Sequence, residues 1–181
     1  MAQQQLHFDH LGSSSIRSLI VDDRGILWIA TTEGLSAFVN EHFYEFTPDM
    51  TDPHSIMDAD ITGLSLNSAG AVVALSASGL SFFDEKSFRF QQFRLTSRPV
   101  SFQYDKRTGN YWVPTEKSGI TVISNSGELI RSFQDDPLDP NSISTSRYSP
   151  YFRSEILDFS DSTFVFLATP SGFNVYNRQA K

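Results

Sequence analysis

The side chains best suited to bind a ligand lie in one polar stretch, residues 142–155 (S-I-S-T-S-R-Y-S-P-Y-F-R-S-E). The aromatic rings of this stretch could stack on sugar rings, and its two guanidinium groups could pair bidentately with a carboxylate or a sulfate. The candidate ligand-binding residues are Arg147, Tyr148, Tyr151, Phe152 and Arg153. The alternative is a loop that only packs or is merely tolerated, because loop extensions cost little stability.

Side chains that could perform catalysis do not form a recognised pattern. His7 and His10 are three residues apart on a predicted strand, so they face opposite sides and make poor joint metal ligands. The sequence has no cysteine, which excludes thiol catalysis and thiolate metal sites, and no nucleophile elbow, zinc-binding helix or phosphate loop is found. We therefore predict no catalytic residue, no metal site and no cofactor.

Two Asp-Pro pairs, Asp52-Pro53 and Asp139-Pro140, stand in polar connections between apolar segments. We predict that both form turns, because an Asp side chain can bond to its own backbone and Pro fixes φ. The alternative is that these carboxylates and their acidic neighbours bind calcium. No spacing here matches a calcium loop, which favours the turn interpretation.

These residues are set in a chain that repeats one unit four times. Residues 25–38 (G-I-L-W-I-A-T-T-E-G-L-S-A-F) return 45 positions later as residues 70–83 (G-A-V-V-A-L-S-A-S-G-L-S-F-F). Residues 109–123 and 164–176 carry a third and a fourth copy, the third with one extra residue before its second Gly. A unit of this length that recurs through a whole chain indicates a repeat architecture.

Each unit is predicted to form four short antiparallel strands. In the first unit, apolar runs at 16–21, 26–30, 35–39 and 43–46 are separated by polar turns, and runs this short favour hairpin strands over helices. Four antiparallel strands in a unit of about 40–45 residues are typical of a propeller blade. We therefore predict an all-β fold, a β-propeller segment of about four four-stranded antiparallel blades.

The predicted blades form a single domain over residues 1–181 and cover about residues 12–48, 56–94, 98–134 and 143–177. The run at 6–11 has the pattern of an outer strand that the last unit lacks, so it is expected to close the last blade or to pair in trans. A four-bladed ring closed in cis, two chains in an eight-bladed ring, and a truncated piece of a larger propeller all fit. We favour truncation, with exposed blade edges paired in a homo-oligomer.

Two further features carry a family resemblance: W-I-A-T-T-E-G-L-S-A-F in the first unit, and D-P-H-S-I (52–56) and D-P-N-S-I (139–143) between units. They resemble the two-component-regulator propeller repeat, whose blades read roughly D-x-x-G-x-L-W-I-G-T-x-x-G-L. The chain departs from that pattern at Ala30, Val73, Ser76 and Pro114. Trp28 and Trp112 hold equivalent places in the second strand and are predicted to pack between adjacent blades.

The resemblance implies a non-catalytic, extracytoplasmic sensor segment of a Bacteroides-type hybrid two-component system, with a glycan or oligosaccharide as its ligand. Any histidine-kinase region of such a parent protein would lie beyond this chain. The start Met is followed by Ala-Gln-Gln-Gln, which looks like the beginning of a mature secreted sequence. Together with the resemblance, this start predicts a periplasmic location.

Other classes of function stay open. The spacing Val21-x-Asp23-x-Gly25-x-x-Trp28 resembles the aspartate box of sialidase-type propellers, so a propeller glycoside hydrolase or lyase is one alternative. A scaffold propeller that binds protein is another. The formal charge of −7 argues against nucleic acid as a partner. No apolar run approaches the roughly 18 residues that cross a bilayer, so contact with a membrane is expected only through the parent protein.

Overall fold

The fold consists of β-strands throughout the part of the chain that the computed structural model describes, residues 13–149 and 157–179. These residues form fifteen strands and no helix. The strands fall into four antiparallel sheets that follow one another along the chain. The all-β prediction and the fourfold repeat are therefore confirmed, whereas the predicted outer strand at residues 6–11 lies outside the described residues.

The first two sheets have four strands each, arranged in sequence order across the sheet. The first sheet consists of β1 (Ile16–Val21), β2 (Leu27–Thr31), β3 (Leu35–Val39) and β4 (His42–Phe46). The second consists of β5 (Ile61–Leu66), β6 (Val72–Ser76), β7 (Gly79–Asp84) and β8 (Arg89–Arg94). The apolar runs of the first unit thus marked the strand positions to within a residue.

The third and fourth sheets continue the same order. The third sheet consists of β9 (Gln103–Asp105), β10 (Asn110–Pro114), β11 (Ile120–Ser124) and β12 (Leu129–Phe133). The fourth consists of β13 (Leu157–Asp158), β14 (Phe164–Thr169) and β15 (Gly172–Asn177). Within the described ranges nothing pairs with the outer edge of β15.

Three apolar clusters hold successive sheets together, one cluster for each pair of neighbours. Alternate residues of a strand point to opposite faces, so the second strand of each middle sheet, β6 or β10, serves two clusters. In β6, for example, Val72 and Ala74 pack towards the first sheet, and Val73 and Leu75 pack towards the third. The cluster between the third and fourth sheets contains Trp112 together with residues of β13 and β14. The two middle sheets are therefore covered on both faces.

Trp28 and Trp112 have the packing role that their equivalent positions predict. Trp28 is buried between the first two sheets, with its ring centroid 4.9 Å from that of Phe83. Trp112 is buried between the third and fourth sheets, stacked on Phe133 at 5.5 Å and 5.6 Å from Tyr176. Large aromatic rings supply much of the buried area in thin sheets, so both residues stabilise contacts between blades.

A hydroxyl residue and a glycine close the turn between the second and third strands of every sheet. Each hydroxyl donates to the carbonyl oxygen of the glycine. The four pairs are Thr31–Gly34 at 3.0 Å, Ser76–Gly79 at 3.3 Å, Thr115–Gly119 at 3.0 Å and Thr169–Gly172 at 2.9 Å. This bond explains why the repeat keeps Thr or Ser before Gly.

The glycine of this turn is required by the fourth strand of the sheet. A Cβ atom at Gly79 would lie well inside van der Waals contact with the carbonyl oxygen of Phe93, and Gly34 and Gly119 face the same obstacle. At Gly172 the nearest atom to such a Cβ is the Ser144 hydroxyl oxygen, at 3.4 Å. The glycine is thus kept in the fourth sheet although no fourth strand covers it among the described residues.

The two Asp-Pro turns contain the same pair of hydrogen bonds. In the first, the amide of Asp49 donates to the Ser55 hydroxyl at 3.0 Å, and the Asp52 carboxylate accepts from the amide of His54 at 2.9 Å. The second repeats both bonds at the same distances, from Asp136 to Ser142 and from Asn141 to Asp139. These bonds stabilise the turns from within, as the turn interpretation predicts.

We predict that Gly79→Ala destabilises the fold by roughly 3 kcal/mol, because the new methyl group must displace β8. Gly25→Ala is the matched control: Gly25 also has a positive φ, of 82°, but the space around it is open. The free energy of unfolding of the control should fall only by the cost of backbone strain, roughly 1–2 kcal/mol. Urea unfolding monitored by tryptophan fluorescence measures both variants, and equal losses would contradict the steric explanation.

Candidate functional site

The antiparallel sheets present their loops on two faces. The linkers between sheets and the turns between second and third strands share one face, which we call the linker face. It is formed by residues 32–34, 47–60, 77–78, 95–102, 115–119, 134–149 and 170–171. The remaining turns lie on the opposite face, because antiparallel strands reverse direction at each turn. Ligand sites built on loops must therefore belong to one face or the other.

Two of the five predicted ligand-binding residues lie in the described part of the chain. Arg147 is exposed on the linker face, where a guanidinium group can reach a ligand. Tyr148 is 4% exposed and belongs to the apolar cluster between the third and fourth sheets. Its ring is therefore a packing element in this structure. Tyr151, Phe152 and Arg153 lie outside the described residues.

The segment that carries Arg147 is tied to both neighbouring sheets. The carbonyl oxygen of Ser146 accepts from the amide of Gly119 at 2.8 Å, on the third sheet. The amide of Ser144 donates to the Asn174 side chain at 2.9 Å, on the fourth sheet. The Ser146 hydroxyl and the nearby charge of Arg147 lower the pKa of Asp135. The segment that carries Arg147 is therefore held by hydrogen bonds to both the third and the fourth sheet.

Tyr148 is buried, and its hydroxyl oxygen has no hydrogen-bond partner within residues 13–149 and 157–179. Burial raises its pKa to about 12, because the charged phenolate would lose its hydration. A phenol of this kind stays neutral at every physiological pH. It is poorly suited to act as a nucleophile or an acid, and its contribution is the apolar area of the ring.

On the opposite face, the buried carboxylate of Asp22 accepts several hydrogen bonds. Asp22 Oδ2 accepts from Trp28 Nε1 at 3.0 Å and from the Arg24 guanidinium at 2.6 Å. Asp22 Oδ1 accepts from the backbone amides of Arg24 and Ile26, both at 3.0 Å. Burial alone would raise the pKa of Asp22, but these hydrogen bonds outweigh it and hold the pKa below its ordinary value. The carboxylate therefore fixes the turn between β1 and β2.

In the third sheet, the carboxylate at the position equivalent to Asp22 has a different partner. Asp105 also begins the turn between first and second strands, and its side chain is almost wholly buried. It pairs with the guanidinium of Arg178 at 2.5 Å, which comes from the end of the fourth sheet. Among the described residues, the indole nitrogen of Trp112 has no hydrogen-bond partner, unlike that of Trp28. Asp105 therefore joins two blades.

A shallow polar cleft of about 460 Å³ lies on the opposite face, between the second and third sheets. Its walls are hydroxyl and amide side chains, and several of them bond to one another. Asn125 donates to the Ser68 hydroxyl at 2.9 Å, and the hydroxyls of Ser124 and Ser126 lie 2.8 Å apart. The cleft offers uncharged polar contacts and no aromatic platform for a ligand.

Across residues 13–149 and 157–179, no three His, Cys, Asp or Glu side chains come together in a way that could hold a metal ion. No helix in those ranges has the length and apolar character to cross a membrane.

Sequence reasoning missed two of these contacts. The aspartate-box comparison pointed to Asp23, whereas Asp22 is the residue that bonds to Trp28. The pairing of Asp105 with Arg178 joins positions 73 residues apart, and no local pattern indicates it. A usable signal was available for Asp22 and Asp105, since each opens a tight turn that ends in Gly.

Four antiparallel sheets stacked face to face in chain order define the class of protein as a β-propeller segment. Residues 10–33 match the family model of the two component regulator propeller. The resemblance drawn from the first unit is therefore confirmed, over the part of that unit that the match covers. No curated protein matched the sequence.

Several solved structures share the fold. The extracellular domain of the hybrid two component system BT3049 from B. thetaiotaomicron aligns with a TM-score of 0.73 and 16% identity, over 96% of this chain and 25% of that one. The computationally designed Ika4 protein gives 0.62 and 14%, over 98% and 99%. Virginiamycin B lyase from Staphylococcus aureus gives 0.55 and 16%, over 92% and 57%. The chain thus spans about a quarter of the BT3049 domain, and these low identities show the fold alone.

We predict that Asp22→Asn destabilises the protein by roughly 1–3 kcal/mol at pH 7, because the hydrogen bonds to Trp28 and Arg24 lose their charged acceptor. The folded-state pKa of Asp22 lies below the unfolded value of about 3.9. Its stabilisation is therefore complete above that value and lost as the pH falls through the folded pKa. Urea unfolding of both proteins at a series of pH values between about 7 and 2.5 should show the difference shrinking in acid. A constant difference would contradict the assignment.

We predict that Arg178→Met costs about 3 kcal/mol, because it leaves the Asp105 carboxylate buried without its partner. Arg131→Met is the control. Arg131 also reaches the fourth sheet, through the Tyr176 hydroxyl at 3.1 Å, but it is exposed and should cost under about 1 kcal/mol. Equal losses in urea unfolding would show that the Asp105 pair does not fasten the fourth sheet.

Proposed function

We propose that the chain is a signal-input segment of the sensor region of a hybrid two-component system. The observation that carries this proposal is the two-component-regulator propeller repeat at residues 10–33. The fold adds support, since 96% of the chain superposes on the extracellular domain of such a system. Because this chain spans a quarter of that domain, the activity of a whole receptor enters only as part of the proposal.

The proposed location is extracytoplasmic, in the periplasm. Support comes from the similar B. thetaiotaomicron domain, which is an extracellular one. The net charge of −7 also suits a partner other than anionic lipid or nucleic acid.

The proposed role is non-catalytic, because the most buried carboxylates of the described residues serve the fold. Asp22 fixes a turn and Trp28, and Asp105 joins two blades through Arg178. Asp52 and Asp139 accept from backbone amides within their own turns. A glycoside-cleaving enzyme would need a pair of carboxyl groups facing a substrate. A propeller hydrolase or lyase is therefore the alternative that the experiment must separate from a sensor.

The proposed ligand is a glycan or oligosaccharide held above the third and fourth sheets. Arg147 is exposed there on a linker that bonds to both sheets. A guanidinium group suits an acidic or sulfated sugar, because it can donate two parallel hydrogen bonds to one anionic group. A ligand that spans these two blades would alter how they pack. Such a change can carry a signal if the ligand binds one packing arrangement more tightly than another.

The test is a calorimetric titration of the full chain with a panel of neutral, uronate-containing and sulfated oligosaccharides, followed by a reducing-end assay of each mixture. A sensor should bind at least one acidic oligosaccharide without releasing reducing ends. New reducing ends would show an enzyme, and no heat with any member of the panel would contradict ligand binding by this chain.

A pair of variants locates the binding surface. Arg147→Ala should weaken the binding of an acidic oligosaccharide about tenfold or more, because one charge-assisted contact is lost. Asn125→Ala, in the polar cleft on the opposite face, is the matched control and should bind as the unaltered chain does. The reverse result would move the site from the linker face to the cleft.

A further inference from the structure

The polar cleft on the opposite face is built by turns of two neighbouring blades. The second sheet contributes Ser68, from the turn between β5 and β6, and the third sheet contributes its turns at 106–109 and 125–128. The side chain of Asn125 crosses the junction and donates to the Ser68 hydroxyl at 2.9 Å. Both sheets are packed against a neighbour on either side. The cleft therefore lies within the repeat, at a contact between its two middle blades.

Hydrogen bonds within the third sheet's turns hold the cleft in shape. The Ser124 hydroxyl oxygen accepts from the amides of Ser126 and Glu128, at 3.2 Å and 3.0 Å. The Thr108 hydroxyl donates to the buried carboxylate of Asp105 at 2.8 Å. A site whose side chains are already ordered loses little freedom when a ligand enters, which favours binding.

Three polar groups of the cleft keep unused hydrogen-bonding capacity. Because Ser124 Oγ accepts from two amides, it must donate its hydrogen to Ser126 Oγ, 2.8 Å away, and the Ser126 hydroxyl hydrogen stays available. The Ser68 hydroxyl accepts from Asn125 and likewise keeps its hydrogen. Asn125 Oδ1 is buried and has no hydrogen-bond partner among the described residues. The cleft thus offers two donors and one acceptor to a ligand.

The unpartnered acceptor indicates that a polar molecule belongs in the cleft. A buried amide oxygen without a partner costs free energy, because it has lost its hydration. A rotation of the Asn125 amide towards the cleft would let Oδ1 accept from a ligand. The Tyr104 hydroxyl is a second buried group with no partner in the described ranges, 3.8 Å from the position that a Cβ atom at Gly109 would occupy in the cleft wall. Buried polar groups in proteins are as a rule hydrogen-bonded.

The ligand that matches these groups is uncharged and carries neighbouring hydroxyl groups. No charged side chain lines the cleft. A carboxylate or sulfate cannot donate to Asn125 Oδ1, and an ammonium group cannot accept from the serine hydroxyls, whereas a hydroxyl group both donates and accepts. The volume of about 460 Å³ lies in the range of small-ligand sites, roughly 300–1,000 Å³. Chemistry and size together fit a hexose or another small polyol.

We propose that the polar cleft is a second binding site, for a small neutral polyol held by Ser68, Asn125 and Ser126. The site goes beyond the proposed function, since it lies on the face opposite Arg147 and takes an uncharged ligand. A polyol bonded to both turns spans the junction of the second and third sheets. It therefore stabilises the contact between these two blades, because it binds only when both are in place.

The site is measured by two-dimensional amide NMR of the full chain, titrated with glucose, galactose, mannose and myo-inositol. At least one of these polyols should shift the amide signals of Ser68, Asn125 and Ser126 saturably, with a dissociation constant below about 10 mM. The amide signal of Arg147, on the linker face, should not move. Four titrations without saturable shifts would overturn the proposal and leave the cleft to water. Shifts confined to the linker face would overturn it as well.

Two variants of the cleft and one matched control identify the groups that bind. Asn125→Ala should weaken polyol binding at least tenfold. Ser126→Ala removes a donor but leaves the bond between Asn125 and Ser68 in place, and it should weaken binding at least about threefold. Asn141→Ala, an exposed asparagine on the second Asp-Pro turn, should bind as the unaltered chain does. Unchanged binding in both cleft variants, or equal weakening by the control, would overturn the assignment.

The two ligand classes separate this site from the proposed sensor site. Asn125→Ala should lose the polyol and keep an acidic oligosaccharide, since the cleft has no charge to attract one, and Arg147→Ala should do the reverse. Polyol binding without binding of any acidic oligosaccharide would support the cleft and contradict the linker-face site. Binding of acidic oligosaccharides alone would overturn the cleft site and leave the sensor proposal standing.

Discussion

The structure depends on the burial of each sheet against its neighbours along the chain. A single four-stranded sheet of this length cannot bury an apolar face alone, so its stability comes from its neighbours. The pattern in β6, where alternate residues serve the first and third sheets, shows how one strand meets both demands. Trp28 and Phe83 contribute to this contact between the first two sheets, together with aliphatic side chains. The Thr–Gly turns and the Asp-Pro linkers serve it by holding each sheet at the position where the contact forms.

The fold could be predicted from the sequence because its determinants are local and repeated. Apolar runs marked the strands of the first unit, and Gly25 and Gly70 marked the turns between first and second strands. Repetition also placed Trp28 and Trp112 in equivalent surroundings before any coordinates were considered. A signal that occurs four times survives the divergence of any one copy, as the buried Val73 at a Trp position shows.

The candidate site was harder to predict, since it depends on tertiary contacts that no local pattern records. Tyr148 has the residue type of a sugar platform, but its place beside Trp112 puts the ring in the core. Asp105 and Arg178 come together only because the third and fourth sheets stack. Arg147 alone, among the predicted ligand-binding residues within the described ranges, is exposed. Both residues were predicted to bind ligand from their residue types, and only the structure shows that Arg147 is exposed whereas Tyr148 is buried.

The Asp-Pro turns have a consequence for how such chains change over evolutionary time. Each turn is closed by bonds among its own residues, Asp49 to Ser55 in one and Asp136 to Ser142 in the other. These bonds add to those that the first turn accepts from β8, at the carbonyl oxygens of His54 and Ser55. A gene that duplicates or loses one unit at such a turn would keep these internal bonds. Recombination at these turns could therefore change the number of blades without removing the turn that links each blade to the next.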